Sequence, residues 1–201
     1  MDTERATPEN DAGQPAPLVQ WIRNAKNGDP GSYRKIYDLY ARKVLNFLYR
    51  MVASREEAED LTQETFLTVY SKLSSLKDDA KFEPWLFRIA RNYAYQRYRS
   101  RLPETLSLDA EDADGNKLRQ LVDEGKTPDE AFQAEELERV VNRVIGSLPD
   151  KYREVFILSA LQQLSYQQVS EVVGRSLGSV KTDIHRARLH VRQLVKDYLR
   201  A

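Results

Sequence analysis

Several kinds of chemistry have no residues to perform them in this chain. The 201-residue sequence contains no cysteine, which excludes a disulfide framework and a thiolate metal site and fits a reducing compartment. Its two histidines, His185 and His190, are five positions apart and miss the spacing of a helical metal site. It has no Gly-x-x-x-x-Gly-Lys phosphate loop and no serine in a nucleophile-elbow motif. We therefore expect no catalytic residue, no metal and no cofactor.

Long apolar runs and strand patterns are also lacking. No apolar stretch approaches membrane-spanning length, and the polar first 17 residues do not resemble a signal peptide. We therefore expect a cytoplasmic protein without direct membrane insertion. Apolar residues recur at helical spacing and nowhere alternate convincingly, which predicts an all-α fold. A hydrophobic content of 41% with 31% charged residues suits small helical domains.

The helical pattern predicts two domains. Residues 18–101 predict a four-helix bundle, with helices over about 18–25, 32–52, 55–73 and 82–101. Residues 128–201 predict further helices that end near 145, 161, 173 and 199. Residues 102–127 have no apolar period and carry an acid run at 109–114, which predicts a flexible acidic linker. Residues 1–17 predict a disordered tail.

Positive charge is concentrated locally although the chain is neutral overall. Lysine plus arginine and aspartate plus glutamate both total 31, which gives a formal net charge of zero. The stretch 86–101 nevertheless carries five arginines and no acid, and the stretch 174–196 carries six basic residues against Asp183 alone. A polyanion meets two attractive patches here rather than the average.

The second patch lies on a helix-turn-helix pattern at 164–184. Ser165 can cap the first helix, and Gly174 stands at the tight turn, where a residue with positive φ is needed. Ser176 or Ser179 can cap the second helix, whose Val180 and Ile184 form the inward side. The outward residues near its start are Ser179, Lys181, Thr182, His185, Arg186 and Arg188. They favour reading of duplex DNA, with a solvated surface hairpin as the alternative.

The first patch mixes arginine with aromatic residues. Phe82, Leu86, Ile89 and Tyr93 repeat at helical spacing and predict a buried stripe. Arg88, Asn92, Tyr95 and Arg99 form another stripe, suited to a single strand because unpaired bases offer faces for stacking and the backbone offers charge. A solvated face is the alternative for this stripe. Trp85 fits either the core, which we favour, or a contact.

The third predicted helix is acidic. Asp60, Gln63 and Glu64 share one face, while Leu61 and Leu67 are among the residues available for burial. An acidic face disfavours DNA and suits a basic protein partner. A merely solvated face and a carboxylate metal site are the alternatives, but the domain lacks the histidines of a di-iron bundle.

Four segments in this order resemble bacterial RNA polymerase sigma factors of the extracytoplasmic-function (ECF) group. They are DLTQETF at 60–66, FEPWLFRIARN at 82–92, SLPDKYREVF at 147–156 and the helix-turn-helix at 164–188. The resemblance covers about residues 18–199. It implies a sigma region 2-like domain followed by a region 4-like domain, with the linker threaded through the polymerase. The remaining alternative is a helix-turn-helix regulator that is not a polymerase subunit.

The resemblance also implies partners and site residues. Core RNA polymerase would bind Asp60, Gln63 and Glu64, and an anti-sigma factor would mask both domains. Promoter DNA would be contacted at two elements. The minus-ten residues would be Lys81, Trp85, Arg88, Asn92, Tyr95 and Arg99, and the minus-thirty-five residues would be Ser179, Lys181, Thr182, His185, Arg186 and Arg188. Gln96 and Asp183 depart from the family pattern; Asp183 would repel phosphates or accept from a cytosine amino group.

Overall fold

The structure, a computed structural model, describes residues 16–101 and 139–198. Regular structure in these two ranges is entirely helical, which confirms the predicted all-α fold. The predicted acidic linker and all but the last two residues of the predicted tail lie outside the described residues. No helix within the described ranges combines the length and apolar character needed to cross a bilayer.

The N-terminal helices are α1 (Ala16–Lys26), α2 (Pro30–Val52), α3 (Arg55–Lys72) and α4 (Phe82–Arg101). Short 3-10 turns at Leu73–Ser75 and Asp79–Lys81 occupy the polar break before α4. Asp29 caps α2 by accepting from the backbone N–H groups of Gly31 and Ser32, both at 3.1 Å. Hydrogen bonds from the Ser32 hydroxyl and the Gly31 N–H lower the pKa of the Asp29 carboxyl.

Helix α4 is held on α2 by aromatic side chains. Tyr40 meets Phe82 edge to face with ring centroids 5.5 Å apart, and Phe47 meets Phe87 in the same way at 5.6 Å. All four rings are almost completely buried. Such pairs add about 0.5–1.5 kcal/mol to the burial of their area. The basic stretch of α4 is therefore carried on a well-packed helix.

The C-terminal helices begin with α5, described over residues 139–146. They continue with α6 (Asp150–Phe156), α7 (Tyr166–Val173) and α8 (Leu177–Tyr198). The predicted helix over 150–161 is divided, because Ile157–Leu161 widens into a π-helical turn. Ser165 and Gln168 form a reciprocal capping box at the start of α7, and Gly174 ends that helix with φ 69°. Both features agree with the helix-turn-helix prediction.

The N-terminal and C-terminal helices pack against each other. Helix α4 lies along α7, and α2 contacts the π-helical turn. Buried residues from both sets of helices belong to one continuous hydrophobic cluster. Periodicity in the sequence could not reveal this contact, because it joins segments far apart in the chain.

Candidate nucleic-acid interfaces

Helix α8 presents the predicted minus-thirty-five residues on its outward face. Val180, Ile184 and Ala187 are at most 1% exposed and anchor the helix to the domain. The backbone N–H of Ser179 donates to the Ser176 hydroxyl at 3.3 Å, so Ser176 caps the helix. The outward face is formed by six exposed side chains: Ser179, Lys181, Thr182, His185, Arg186 and Arg188. The structure therefore brings these residues together in one solvent-facing row.

Asp183 does not belong to that outward row. The expectation that it faces DNA is wrong, because the residue is only 6% exposed. Its carboxylate lies 2.6 Å from the Arg175 guanidinium. Arg175 belongs to the turn between α7 and α8, and its backbone oxygen accepts from the Ser170 hydroxyl at 2.5 Å. The ion pair therefore links α8 to the turn that precedes it.

Tyr152 of α6 supports the same helix from the side, and sequence reasoning did not single it out as a site residue. Its hydroxyl lies 3.4 Å from the Arg186 guanidinium, and its ring stacks on His190 at 5.8 Å between centroids. The hydrogen bond from Arg186 lowers the pKa of the Tyr152 hydroxyl. Arg186 is thereby directed along the surface of α8 rather than left without a contact.

The last turns of α4 form an open hollow of about 900 Å³. Its lining consists of Arg91, Asn92, Tyr95, Gln96, Arg99 and Ser100. Asn92, Tyr95 and Arg99 were predicted for the minus-ten element, and the structure brings them together. Arg91 and Gln96 were not predicted as site residues, although both fall in the basic stretch. Guanidinium, amide and aromatic groups in one hollow can hydrogen-bond and stack on an unpaired base.

The other predicted minus-ten residues lie away from this hollow. Arg88 is exposed on an earlier turn of α4, and Lys81 lies in the 3-10 turn before the helix. Trp85 is half-buried and packs against Phe82 with ring centroids 6.0 Å apart, as expected of a core residue. Of the predicted buried stripe, Phe82 and Leu86 are fully buried, whereas Ile89 and Tyr93 are half-buried.

A carboxylate from the C-terminal helices reaches the rim of the hollow. Glu154 of α6 accepts from the Arg91 guanidinium at 2.8 Å and from the Tyr95 hydroxyl at 2.5 Å. Burial and the negative charge of Glu154 raise the pKa of Tyr95, which stays protonated and donates. Burial alone would lower the pKa of Arg91, but the hydrogen bond and charge of Glu154 outweigh it and raise the value.

Helix α3 carries a surface of opposite charge. Asp60 and Gln63 are exposed, and Glu64 is half-buried beside them. The expected burial of Leu67 is wrong, because this side chain is 71% exposed; Tyr70, one turn on, is 64% exposed. Large apolar side chains beside carboxylates are typical of a protein-binding surface. No cluster of potential metal ligands is found within residues 16–101 and 139–198.

Comparison with known proteins identifies the family. The model for Sigma-70 region 2 matches residues 36–102, and the model for Sigma-70, region 4 matches residues 138–191. The chain is 37% identical over 179 residues to the ECF RNA polymerase sigma factor SigW of Bacillus subtilis, covering 88% of this chain and 95% of the relative. The chain belongs to the ECF group of RNA polymerase sigma factors. RNA polymerase sigma-H factor of Pseudomonas aeruginosa is 30% identical, covering 90% of this sigma factor and 95% of the relative.

Solved structures support the fold of this sigma factor. CnrH in complex with the cytosolic domain of CnrY gives a TM-score of 0.67 at 22% identity, covering 90% of this chain and 97% of that one. The sigma factor RpoE of Bartonella quintana, in complex with the anti-sigma factor NepR, gives a TM-score of 0.65 at 23% identity. The match covers 82% of this chain and 96% of that one. Both regions of a sigma factor are present in order, so a regulator that acts without polymerase is not favoured.

Proposed function

We propose that this sigma factor divides promoter recognition between α8 and α4 and binds core RNA polymerase through α3. The carrying observation is that these three surfaces differ in charge and character. The α3 face is acidic and apolar, the α4 hollow is cationic and aromatic, and the α8 row is basic and polar. Each matches a different chemical partner, and the surfaces lie on separate elements.

The upstream minus-thirty-five element suits the α8 row. Its exposed side chains lie near the start of a helix anchored by a buried inward face, as major-groove reading requires. Arg186 can donate to a base edge, and Lys181 and Arg188 can reach phosphates on either side. Because Asp183 is turned inward to Arg175, it neither repels the backbone nor reads a base.

The minus-ten element suits the α4 hollow, where Asn92, Tyr95 and Arg99 meet. An unpaired base gains stacking and hydrogen bonds there that a paired base in the duplex cannot gain. Lys81, Trp85 and Arg88 extend the surface toward the start of the helix. Strand opening is then driven by binding energy in the complex with polymerase, without nucleotide hydrolysis and without an enzymatic step by this chain.

Core RNA polymerase suits the α3 face, with Asp60, Gln63 and Glu64 as its polar contacts and Leu67 as an apolar contact. An anti-sigma factor is the further partner we propose, because the CnrH and RpoE structures are complexes with CnrY and with the anti-sigma factor NepR. Such a partner would cover the surfaces that polymerase and DNA require.

Transcription in vitro with core polymerase and a genomic fragment library tests the proposal. We expect defined start sites that need this chain. The Asp60→Lys/Glu64→Lys variant should lose polymerase binding, whereas Asp38→Lys, which reverses an exposed acid on α2, should keep it. Failure of the native chain to bind core polymerase, or binding without any defined start, would contradict the function.

Two further variants separate the DNA surfaces. Arg186→Ala should weaken upstream-element binding by about 1–3 kcal/mol. Lys196→Ala, in the last turn of the same helix, should have a smaller effect. Asn92→Ala should reduce permanganate reactivity of the opened strand more than it reduces binding to the closed duplex. If Arg186→Ala impaired strand opening and Asn92→Ala impaired upstream duplex binding, our assignment of the two promoter elements to α8 and α4 would be wrong.

A further inference from the structure

Two acidic residues of the C-terminal helices lie on the surface that we assign to the minus-ten strand. Glu154 contacts Arg91 and Tyr95 at the hollow. Glu171 of α7 lies 3.2 Å from Lys81, at the start of the α4 surface. Tyr95 and Lys81 are themselves predicted minus-ten residues. We call this arrangement, in which the C-terminal helices pack on α4, the closed arrangement. In it, carboxylates contact cationic and donor groups that would otherwise contact DNA phosphates.

Glu154 is buried deeply enough to depend on this contact. Its side chain is 1% exposed, and that of Arg91 is 23% exposed. A buried carboxylate needs hydrogen-bond donors and a cation to offset the loss of water. Here one oxygen accepts from the Arg91 guanidinium and the other from the Tyr95 hydroxyl. Separation of the helices would return Glu154, Arg91 and Tyr95 to solvent or to another partner.

The carboxylates of the C-terminal helices engage part of only one of the two DNA surfaces, because Asn92 and Arg99 of the hollow stay exposed. The α8 row stays exposed, because α8 packs on α6 and α7 and turns its outward face to solvent. Tyr95, by contrast, is half-buried and its hydroxyl is occupied. The contact thus distinguishes the two promoter elements rather than covering the chain uniformly.

We propose that Glu154 acts as an intramolecular phosphate mimic that occupies Arg91 and Tyr95 of the α4 hollow, in competition with single-stranded DNA, until the C-terminal helices move away. This inference rests on the proposed minus-ten role of α4. A carboxylate and a phosphodiester both present anionic oxygens that accept from guanidinium and hydroxyl donors. The two ligands therefore compete for Arg91 and Tyr95, and Glu171 strengthens the closed state through Lys81.

Competition of this kind has a measurable consequence. The apparent affinity of the free chain for a single strand is reduced by the fraction of molecules that are open. A variant that weakens closure without changing a residue that lines the hollow should bind more tightly, although it gains no contact with DNA. Glu154→Gln is such a variant, because it removes one charge from α6 and leaves Arg91 and Tyr95 in place.

Fluorescence anisotropy with a labelled single strand of mixed sequence, on the order of 12 nucleotides long, gives the first readout. For the full chain we expect Glu154→Gln to raise affinity about tenfold and Glu171→Gln to raise it less. The matched control is Asp197→Asn, which removes one exposed negative charge from the same set of helices. Affinity for an upstream duplex should not change in any of the three variants.

Energy transfer gives a second, independent readout. The absence of native cysteine allows dyes to be attached only at Ser74→Cys and Gln167→Cys, two exposed positions, one in the N-terminal and one in the C-terminal set of helices. We expect lower transfer in Glu154→Gln than in the native background, and a decrease in the native background when the single strand is added.

Several results would overturn the inference. They are unchanged affinity and transfer in a folded Glu154→Gln variant, or an equal gain in Asp197→Asn. If circular dichroism shows that Glu154→Gln does not fold, Glu171→Gln decides, and no gain there refutes the mimic. If the native chain supports polymerase-dependent initiation but Glu154→Gln changes neither single-strand affinity nor energy transfer, only this inference is refuted. If the native chain does not support initiation with core polymerase, the proposed function is refuted.

Discussion

The ion pair between Arg175 and Asp183 allows a sharp test of how α8 is held. Arg175→Met removes the guanidinium but keeps an unbranched apolar stem. Asp183 would remain 8% exposed at its side chain with no cation at 2.6 Å. Removing one partner of a buried pair costs about 3–5 kcal/mol. Because the Arg175 side chain is 28% exposed, solvent screens part of this, and we expect a loss of about 2–3 kcal/mol.

That loss should be visible in urea and thermal denaturation followed by circular dichroism. For a chain of this size, each kcal/mol lowers the melting temperature by about 2–4 °C, so a decrease of about 4–12 °C is expected. The double variant Arg175→Met/Asp183→Leu replaces both partners by apolar groups and should lie within about 1 kcal/mol of the native chain. Arg188→Met, an exposed change on the same helix, should alter stability by less than about 0.5 kcal/mol.

Two outcomes would refute this reasoning. A change below about 0.5 kcal/mol for Arg175→Met would show that the charge on Asp183 finds other compensation. A double variant as unstable as Arg175→Met would show that the loss comes from packing of the Arg175 stem rather than from an unpaired carboxylate. In either case the ion pair would not be what ties α8 to its turn.

Three other predictions concern the turn, the core and pH. Gly174→Ala should destabilise by about 1–2 kcal/mol because φ is 69°, whereas Gly178→Ala, where an added Cβ also meets nothing, should be neutral or stabilising; chemical denaturation distinguishes them. Phe87→Ala should lower the free energy of unfolding by about 3–5 kcal/mol, whereas Leu67→Ala, at an exposed position, should lower it by less than about 0.5 kcal/mol. Burial raises the pKa of the Glu83 carboxyl despite Lys43, so stability should fall as pH rises above the ordinary value of 4.5. Glu83→Gln should therefore melt higher than the native chain at neutral pH and equally at lower pH; a lower neutral melting temperature would contradict the sign.

Local signals predicted the helices well. Ser165 caps α7 as expected, and α4 runs over the predicted residues, Phe82–Arg101. These features depend on residues within a turn or two of each other. The π-helical turn at Ile157–Leu161 was not predicted, because apolar spacing does not distinguish it from a continuing α-helix.

The site was predicted less completely for a physical reason. Exposure of the α8 row follows from helical periodicity and was confirmed. Asp183 was misplaced because its role was inferred from the family pattern, although it lies at helical spacing from the buried residues Val180 and Ala187. Arg91 meets Glu154 across 63 positions of sequence, and no local pattern records such a pairing. Leu67 was taken for core although it contributes to an exposed surface.

The packing of α4 along α7 should make the contact between the N-terminal and C-terminal helices depend on temperature. The joined cluster is apolar, and apolar association weakens on cooling because its driving force near room temperature is entropic. Ion pairing at its edge does not share that dependence. Cold should therefore loosen the apolar part of the junction before it loosens the charged part, so that a chilled chain would sample separated halves more often than a warm one.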